Sequence, residues 1–255
     1  MNALIRGLIL VVFFVVSNTL YAEEAVQTAA EPVQPSGYEF SGNVELGGFK
    51  TTGNSETQTI EALVETEYSY NKWAVNFSFE ALQTSDGGVL TSDNYEASIK
   101  GIYNMENHAY GFIQLGYRED FFSGVYNEKF QLGGFGYRFF TDEPAYELDT
   151  ELGYGLRVTR KLINGIIRPR IDYDPGTHIA IFSKYHFTEK DLLKLNIEAE
   201  LGNDDDYIKR EIAWVHNLFE SLNVNFSYVV KTNTKPEVGT VGTDDKLSVK
   251  LGYEF

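Results

Sequence analysis

Carboxylates recur along this chain on the polar parity of its alternating stretches, and several fall where a basic side chain can meet them. Glu61, Glu80 and Glu96 lie one each on successive apolar-alternating stretches, and Arg118 lies on the next. Further on, Glu147 and Asp149 are followed by stretches that carry Lys184, His186 and Lys194. Such sets can do acid–base chemistry, where environment drives the pKa values of two carboxyls apart. They can also select solutes along a polar passage, or neutralise one another as a structural ion-pair network. The network is the favoured expectation, over Glu61, Glu80, Glu96, Arg118, Glu147, Asp149, Lys184 and Lys194.

Nucleophilic chemistry finds less support. His178, His186 and His216 are the candidate bases, with Ser183 the nearest hydroxyl. Ser183 falls on the opposite parity from His178 and His186, and no His-x-Ser spacing occurs, so no catalytic residue is expected. His108 reads as a solvated turn residue. There is no Cys and no His pair at metal-ligand spacing. Asn203-Asp204-Asp205-Asp206 offers oxygens to a divalent ion but lacks a full EF-hand pattern, and reads as a solvated acidic turn. No metal or cofactor is expected. A basic run stands apart on this acidic chain: Arg157, Arg160, Lys161, Arg168 and Arg170 flank Asn164-Gly165. Arg grips phosphates bidentately, so contact with lipopolysaccharide is one expectation, beside an ordinary solvated loop or an inward-folding plug.

The elements that must position these groups have a period of two. From 245 to 255, Leu247, Val249, Leu251, Tyr253 and Phe255 share one face, with Lys246, Ser248, Lys250, Gly252 and Glu254 on the other. An exposed Tyr-x-Phe edge invites aggregation, whereas a closed barrel pairs its last strand with its first. A terminal Phe behind such alternation also resembles the C-terminal signal read by the outer-membrane barrel assembly machinery, and that resemblance implies that Tyr253 and Phe255 serve as an assembly signal. Similar alternation starts at Tyr38 and continues through about twelve stretches, separated by turn residues such as Asn71-Lys72. At Lys129–Phe140 both Phe130/Leu132 and Phe135/Tyr137/Phe139 are apolar, which predicts a bulge. Asn164-Gly165 predicts a hairpin that extends beyond the membrane, its return limb bent at Pro169 and at Asp174-Pro175-Gly176.

One-sided alternation also fits a soluble sandwich. Three features favour the membrane. Tyr68, Tyr70, Trp73, Tyr103, Tyr185, Phe187 and Tyr253 stand at the turn-proximal ends of the apolar faces, as interfacial girdles require. Met1–Ala22 has a basic Arg6, an apolar run from Leu8 to Val16 too short to span, and a small residue at its end, which predicts a cleaved secretory signal. The last strand is aromatic. Residues 23–37 are rich in Ala, Glu, Gln and Pro, and read as a flexible periplasmic leader. A net charge of −16 disfavours nucleic acid. The mean hydropathy of −0.26 is compatible with a barrel, which shows lipid only alternate residues.

The stretch Leu46-Gly-Gly-Phe-Lys-Thr-Thr-Gly-Asn-Ser55 resembles the first hairpin of the salt-induced outer membrane protein family, the YdiY-like domain of unknown function. Asp120-Phe121-Phe122, Leu132-Gly-Gly-Phe-Gly-Tyr-Arg138 and Gly153-Tyr154-Gly155-Leu156 are similar to its middle. The resemblance implies an outer-membrane barrel tied to envelope or osmotic stress, and transfers no catalytic residue.

The expectation is thus an all-β protein, with a signal peptide at 1–22, a leader at 23–37 and a domain at 38–255. That domain is an antiparallel transmembrane β-barrel of about twelve strands in meander order, with both termini periplasmic. It would be a monomer in the outer membrane of a Gram-negative bacterium, in contact with lipid and lipopolysaccharide, non-enzymatic, with a narrow or closed charged lumen. A small diffusion pore is the alternative, and a lipid-active enzyme the third.

Overall fold

The computed structural model describes residues 37–50, 56–120, 125–163, 166–236 and 241–255. The expected signal segment and all of the leader but Gly37 lie outside these.

Alternating sequences become strands here because each has one face that lipid accepts and one that it rejects. The first six are β1 (Tyr38–Lys50), β2 (Thr57–Tyr70), β3 (Trp73–Asp86), β4 (Val89–Asn104), β5 (Ala109–Asp120) and β6 (Val125–Phe139). The rest are β7 (Tyr146–Ile163), β8 (Ile166–His186), β9 (Asp191–Gly202), β10 (Asp206–Asn217), β11 (Leu222–Asn233) and β12 (Thr243–Glu254). Each pairs with its sequence neighbours, and β12 pairs antiparallel with β1, so the twelve form a closed meander barrel. At the seam Gly42 and Phe255 exchange both backbone hydrogen bonds, at 2.9 and 3.0 Å. No edge is left at the seam, which is how a sheet satisfies its backbone inside hydrocarbon.

The outer face is apolar: Ile113, Phe135, Leu152 and Leu247 are all more than 60% exposed. In water such a surface would aggregate; in a bilayer it is the solvated one. Aromatic rings collect at the rim that holds the short turns. Trp73 packs on Tyr103, and Tyr137, Phe139, Phe140, Tyr146, Tyr185 and Phe187 follow one another ring to ring. Turn chemistry on this rim is carried by Asn71, with a φ of 54° between β2 and β3. Asn is among the few residues that adopt this conformation readily.

β6 departs from expectation. Phe130 and Leu132 are buried inside the barrel, while Phe135, Tyr137 and Phe139 are exposed outside. One unbroken alternation does this, because Gly134 and Gly136 hold the inward positions opposite the outer aromatics. The register with β5 runs without a break from Ala109↔Tyr137 to Arg118↔Glu128, and the irregularity comes only beyond, between Arg118 and Asp120. Two inward glycines make room for rings: a Cβ on Gly116 would strike the Phe130 ring, and one on Gly136 the Tyr110 ring. An aromatic laid over a strand glycine repairs what the missing side chain leaves open.

The β7–β8 ribbon pairs to its tip, Ile163↔Ile166, around residues 164–165, which lie outside the described set. Its register shift lies between Arg160 and Leu162, opposite the segment that contains Pro169. The bend expected at Asp174-Pro175-Gly176 is absent: pairing with β7 runs evenly from Tyr185 to Ile171. β9 begins to pair with β8 only at Gly176↔Gly202, so Pro175 lies beyond that ladder and its missing N–H costs nothing there.

Candidate functional site

The inward face is where charge collects. Glu45, Glu61, Glu128, Glu151, Arg157, Asp174, His178, Glu200 and Lys250 are all buried. Buried charges persist only when paired, and they pair across the bore as well as along the wall.

Arg118 is the centre of the arrangement. β5 carries it inward, where its Nη1 donates to Glu128 Oε1 at 2.7 Å and its Nη2 to Glu200 Oε1 at 3.0 Å. Its Nε lies 3.4 Å from Glu96 Oε1. The guanidinium also lies over two rings, Phe130 at 4.5 Å and Tyr207 at 4.0 Å from their centroids. These partners come from β4, β6, β9 and β10, so one side chain touches walls on both sides of the ring of strands. The planar fork and the stacking surface of Arg suit it to this place; an ammonium would offer neither.

Two further bridges span the bore. Lys209 on β10 reaches Glu80 on β3 at 3.6 Å, and Lys231 on β11 reaches Glu96 on β4 at 3.5 Å. Each joins strands five apart in a ring of twelve. Near the seam, Lys246 holds both Glu61 and Glu80, at 2.6 and 2.8 Å, and Lys250 holds Glu45 at 2.6 Å. On the other side Arg157 bonds Asp174 at 2.7 Å and approaches Glu200 at 3.7 Å. The result is two runs of alternating sign, one from Glu45 through Lys250, Glu61, Lys246 and Glu80 to Lys209, the other from Lys231 through Glu96, Arg118, Glu200 and Arg157 to Asp174.

A second cluster lies among β4, β5, β7 and β8. Glu151 accepts from Lys100 at 2.5 Å and from the Tyr110 hydroxyl at 2.7 Å, and His178 Nε2 lies 3.3 Å away. It adjoins the small apolar cluster inside the barrel, which includes Ala74, Ile102, Phe112 and Leu132.

The expected network residues thus divide. Glu61, Glu80, Glu96 and Arg118 come together inside the bore. Glu147 and Lys184 pair at 2.9 Å but on an exposed part of the rim, and Asp149 lies 3.6 Å from Arg138. His186 is exposed. Lys194 stands opposite Lys184 on the wall but is in electrostatic range of Glu65. Lys209, Lys231, Lys246, Lys250, Glu128, Glu200 and the Glu151 cluster were not anticipated. Their inward parity was readable except for that of Glu128, which shares the parity of apolar Phe130 and Leu132; their partners across the bore were not.

The basic run also divides. Arg157 is 5% exposed and is held by Asp174, so it belongs to the bore and is withdrawn from any external phosphate. Inward parity put it there. Arg160 is exposed, Lys161 is half-buried, and the side chains of Arg168 and Arg170 lie outside the described set.

Among the histidines, His178 is enclosed with Glu151 and the Phe112 ring. His216 Nδ1 lies 2.8 Å from Asp191, which also accepts from Trp214 Nε1 and Thr188 Oγ1. His108 lies 3.1 Å from the Thr141 hydroxyl on an exposed turn. Nothing in these contacts joins histidine, carboxylate and hydroxyl in the order that a triad needs. Among the described residues no group of three or more His, Cys, Asp or Glu could hold a metal ion, and Asp204 and Asp205 donate their backbone N–H groups to Asp174.

Known proteins agree with this geometry at the level of fold. The COG4313 outer membrane channel from Pseudomonas putida F1 superposes with a TM-score of 0.50 at 8% identity, over 89% of this chain and 100% of that one. The outer membrane channel DcaP of Acinetobacter baumannii gives 0.42 at 8% identity, over 89% and 100%. The uncharacterized protein YdiY of Escherichia coli (strain K12) is 22% identical over 235 residues, which is 92% of this chain and 90% of YdiY. The family described as "Protein of unknown function, DUF481" matches residues 44–255. An outer-membrane barrel fold, matched along most of its length by that family, places the chain: it belongs to DUF481.

Proposed function

We propose that this protein is a non-enzymatic outer-membrane barrel whose charged lumen is closed by its own side chains. The observation that carries the reading is the set of bridges from one wall to the other, Arg118–Glu200, Lys209–Glu80 and Lys231–Glu96. A barrel of this strand number lies between the filled interior of about eight strands and the open channel of about sixteen. Side chains can therefore close it. Planar bilayers test the reading: purified protein should insert without steady stepwise conductance. Stable steps in the parent protein would favour instead a narrow diffusion pore, which the fold likeness to an outer membrane channel makes the second reading.

The same proposal includes export by a cleaved signal peptide, insertion by the barrel assembly machinery as a monomer, and a role in envelope or salt stress. The stress link rests on the family resemblance; unchanged transcript after an osmotic upshift would remove it. Contact with lipopolysaccharide belongs to the β7–β8 extension and to Arg160, Lys161, Arg168 and Arg170, without Arg157. Replacing those four by Gln should lower lipopolysaccharide retained on purification, and equal retention would leave an ordinary loop.

A further inference from the structure

We infer that Arg118 is the latch of a latent passage for small monovalent cations, an inference that rests on the closed-bore reading. The bridges across the bore differ in kind. The lysine bridges reach water: Lys209 and Lys231 have side chains 21% and 27% exposed, and their contacts are 3.6 and 3.5 Å long. An ammonium on a four-carbon stem can swing aside. Arg118 is 13% exposed, its two rings are 4% and 6% exposed, and its guanidinium is fixed by shorter contacts on several sides. Water therefore reaches these two lysine bridges, and of the three bridges that cross the bore the one at Arg118 is the most enclosed.

The chemistry left without the latch sets the permeant. Removing Arg118 leaves Glu96, Glu128 and Glu200 facing the gap. Each keeps another partner: Lys231 for Glu96 at 3.5 Å, Thr159 for Glu128 at 2.9 Å, Arg157 for Glu200 at 3.7 Å. The wall should therefore stay folded, while its charge at that height turns negative: three carboxylates then face Lys231 and Arg157, and Arg157 is shared with Asp174. A ring of carboxylates admits cations and repels anions.

Arg118→Ala in planar bilayers under a KCl gradient tests this. The expected result is stepwise conductance at least tenfold above the parent, with a reversal potential on the potassium side. Folding is read from the heat-modifiable band. A folded variant as silent as the parent, or one selective for chloride, overturns the inference. Should Arg118→Ala not fold, Glu200→Gln, close in shape, removes one anchor and should give brief cation-selective openings; silence there overturns it too. Steady conductance in the parent would defeat the closed-bore reading and the latch together. A silent parent with a silent Arg118→Ala defeats the latch alone.

Discussion

Arg157 donates to Asp174 from inside the wall, and the same carboxylate accepts the backbone N–H groups of Asn203, Asp204 and Asp205. One guanidinium thus holds a carboxylate that in turn orders the β9–β10 turn. Removing one member of a buried pair leaves the other charged and uncompensated. Arg157→Gln should cost about 3 kcal/mol in denaturant unfolding from lipid or detergent, and should loosen the turn. Arg160→Gln, on the exposed side three residues on, should fall within about 0.5 kcal/mol of the parent. Equal effects would mean that Arg157 is not the bridge it resembles. The distinction was legible in part. Arg157 shares the parity of Glu151, whose side chain points inward, whereas Arg160 does not. Grouping the five basic residues by nearness in sequence concealed it.

At the scale of the strand, alternation was a sufficient guide: all twelve elements fall on the apolar-alternating stretches, and Asn71 marks a turn by its positive φ. Irregularity was harder to read. Two apolar sets in β6 implied a bulge only if the bore was taken to be wholly polar; Phe130 and Leu132 instead fill it. Whether a proline bends a strand depends on whether a neighbour needs its N–H, and β9 ends just short of Pro175. Facing can be tested on β11, where Phe226 is exposed and Asn225 is buried. Phe226→Arg puts a charge into hydrocarbon and should destabilise by about 2–4 kcal/mol near the midplane. Asn225→Lys should also be costly, for another reason. The Asn225 amide donates to Glu45 at 2.8 Å, and Lys250 already occupies the other oxygen of that carboxylate at 2.6 Å, so a second ammonium would crowd the first. A neutral Asn225→Lys together with a costly Phe226→Arg would place Asn225 against water rather than against Glu45.

For the molecule as a whole, closure of the ring bears on assembly, and on the proposed reading on silence as well. Phe255 exchanges hydrogen bonds with Gly42 and packs on Phe40 and Tyr253. Deleting Tyr253–Phe255 should therefore sharply lower the heat-modifiable barrel in the outer membrane, and normal levels would refute the closing role. Which inward charges meet was not legible, because it depends on the stagger with which the sheet closes, a property of the ring rather than of any strand. That stagger brings Lys209 to Glu80 and Arg118 to Glu200. Ionic strength then discriminates between closure held inside the protein and closure held by exposed pairs. Salt at about 1 M shortens the screening length to about 3 Å, but only where ions can enter. Glu147 and Lys184, about half exposed, are open to it; Arg118, touching Glu128 at 2.7 Å within the bore, is not. The parent protein should accordingly remain as silent in about 1 M KCl as at about 0.15 M. Reversible openings that grow with salt would show that exposed pairs hold the gate, and that the lysine bridges rather than Arg118 set the constriction.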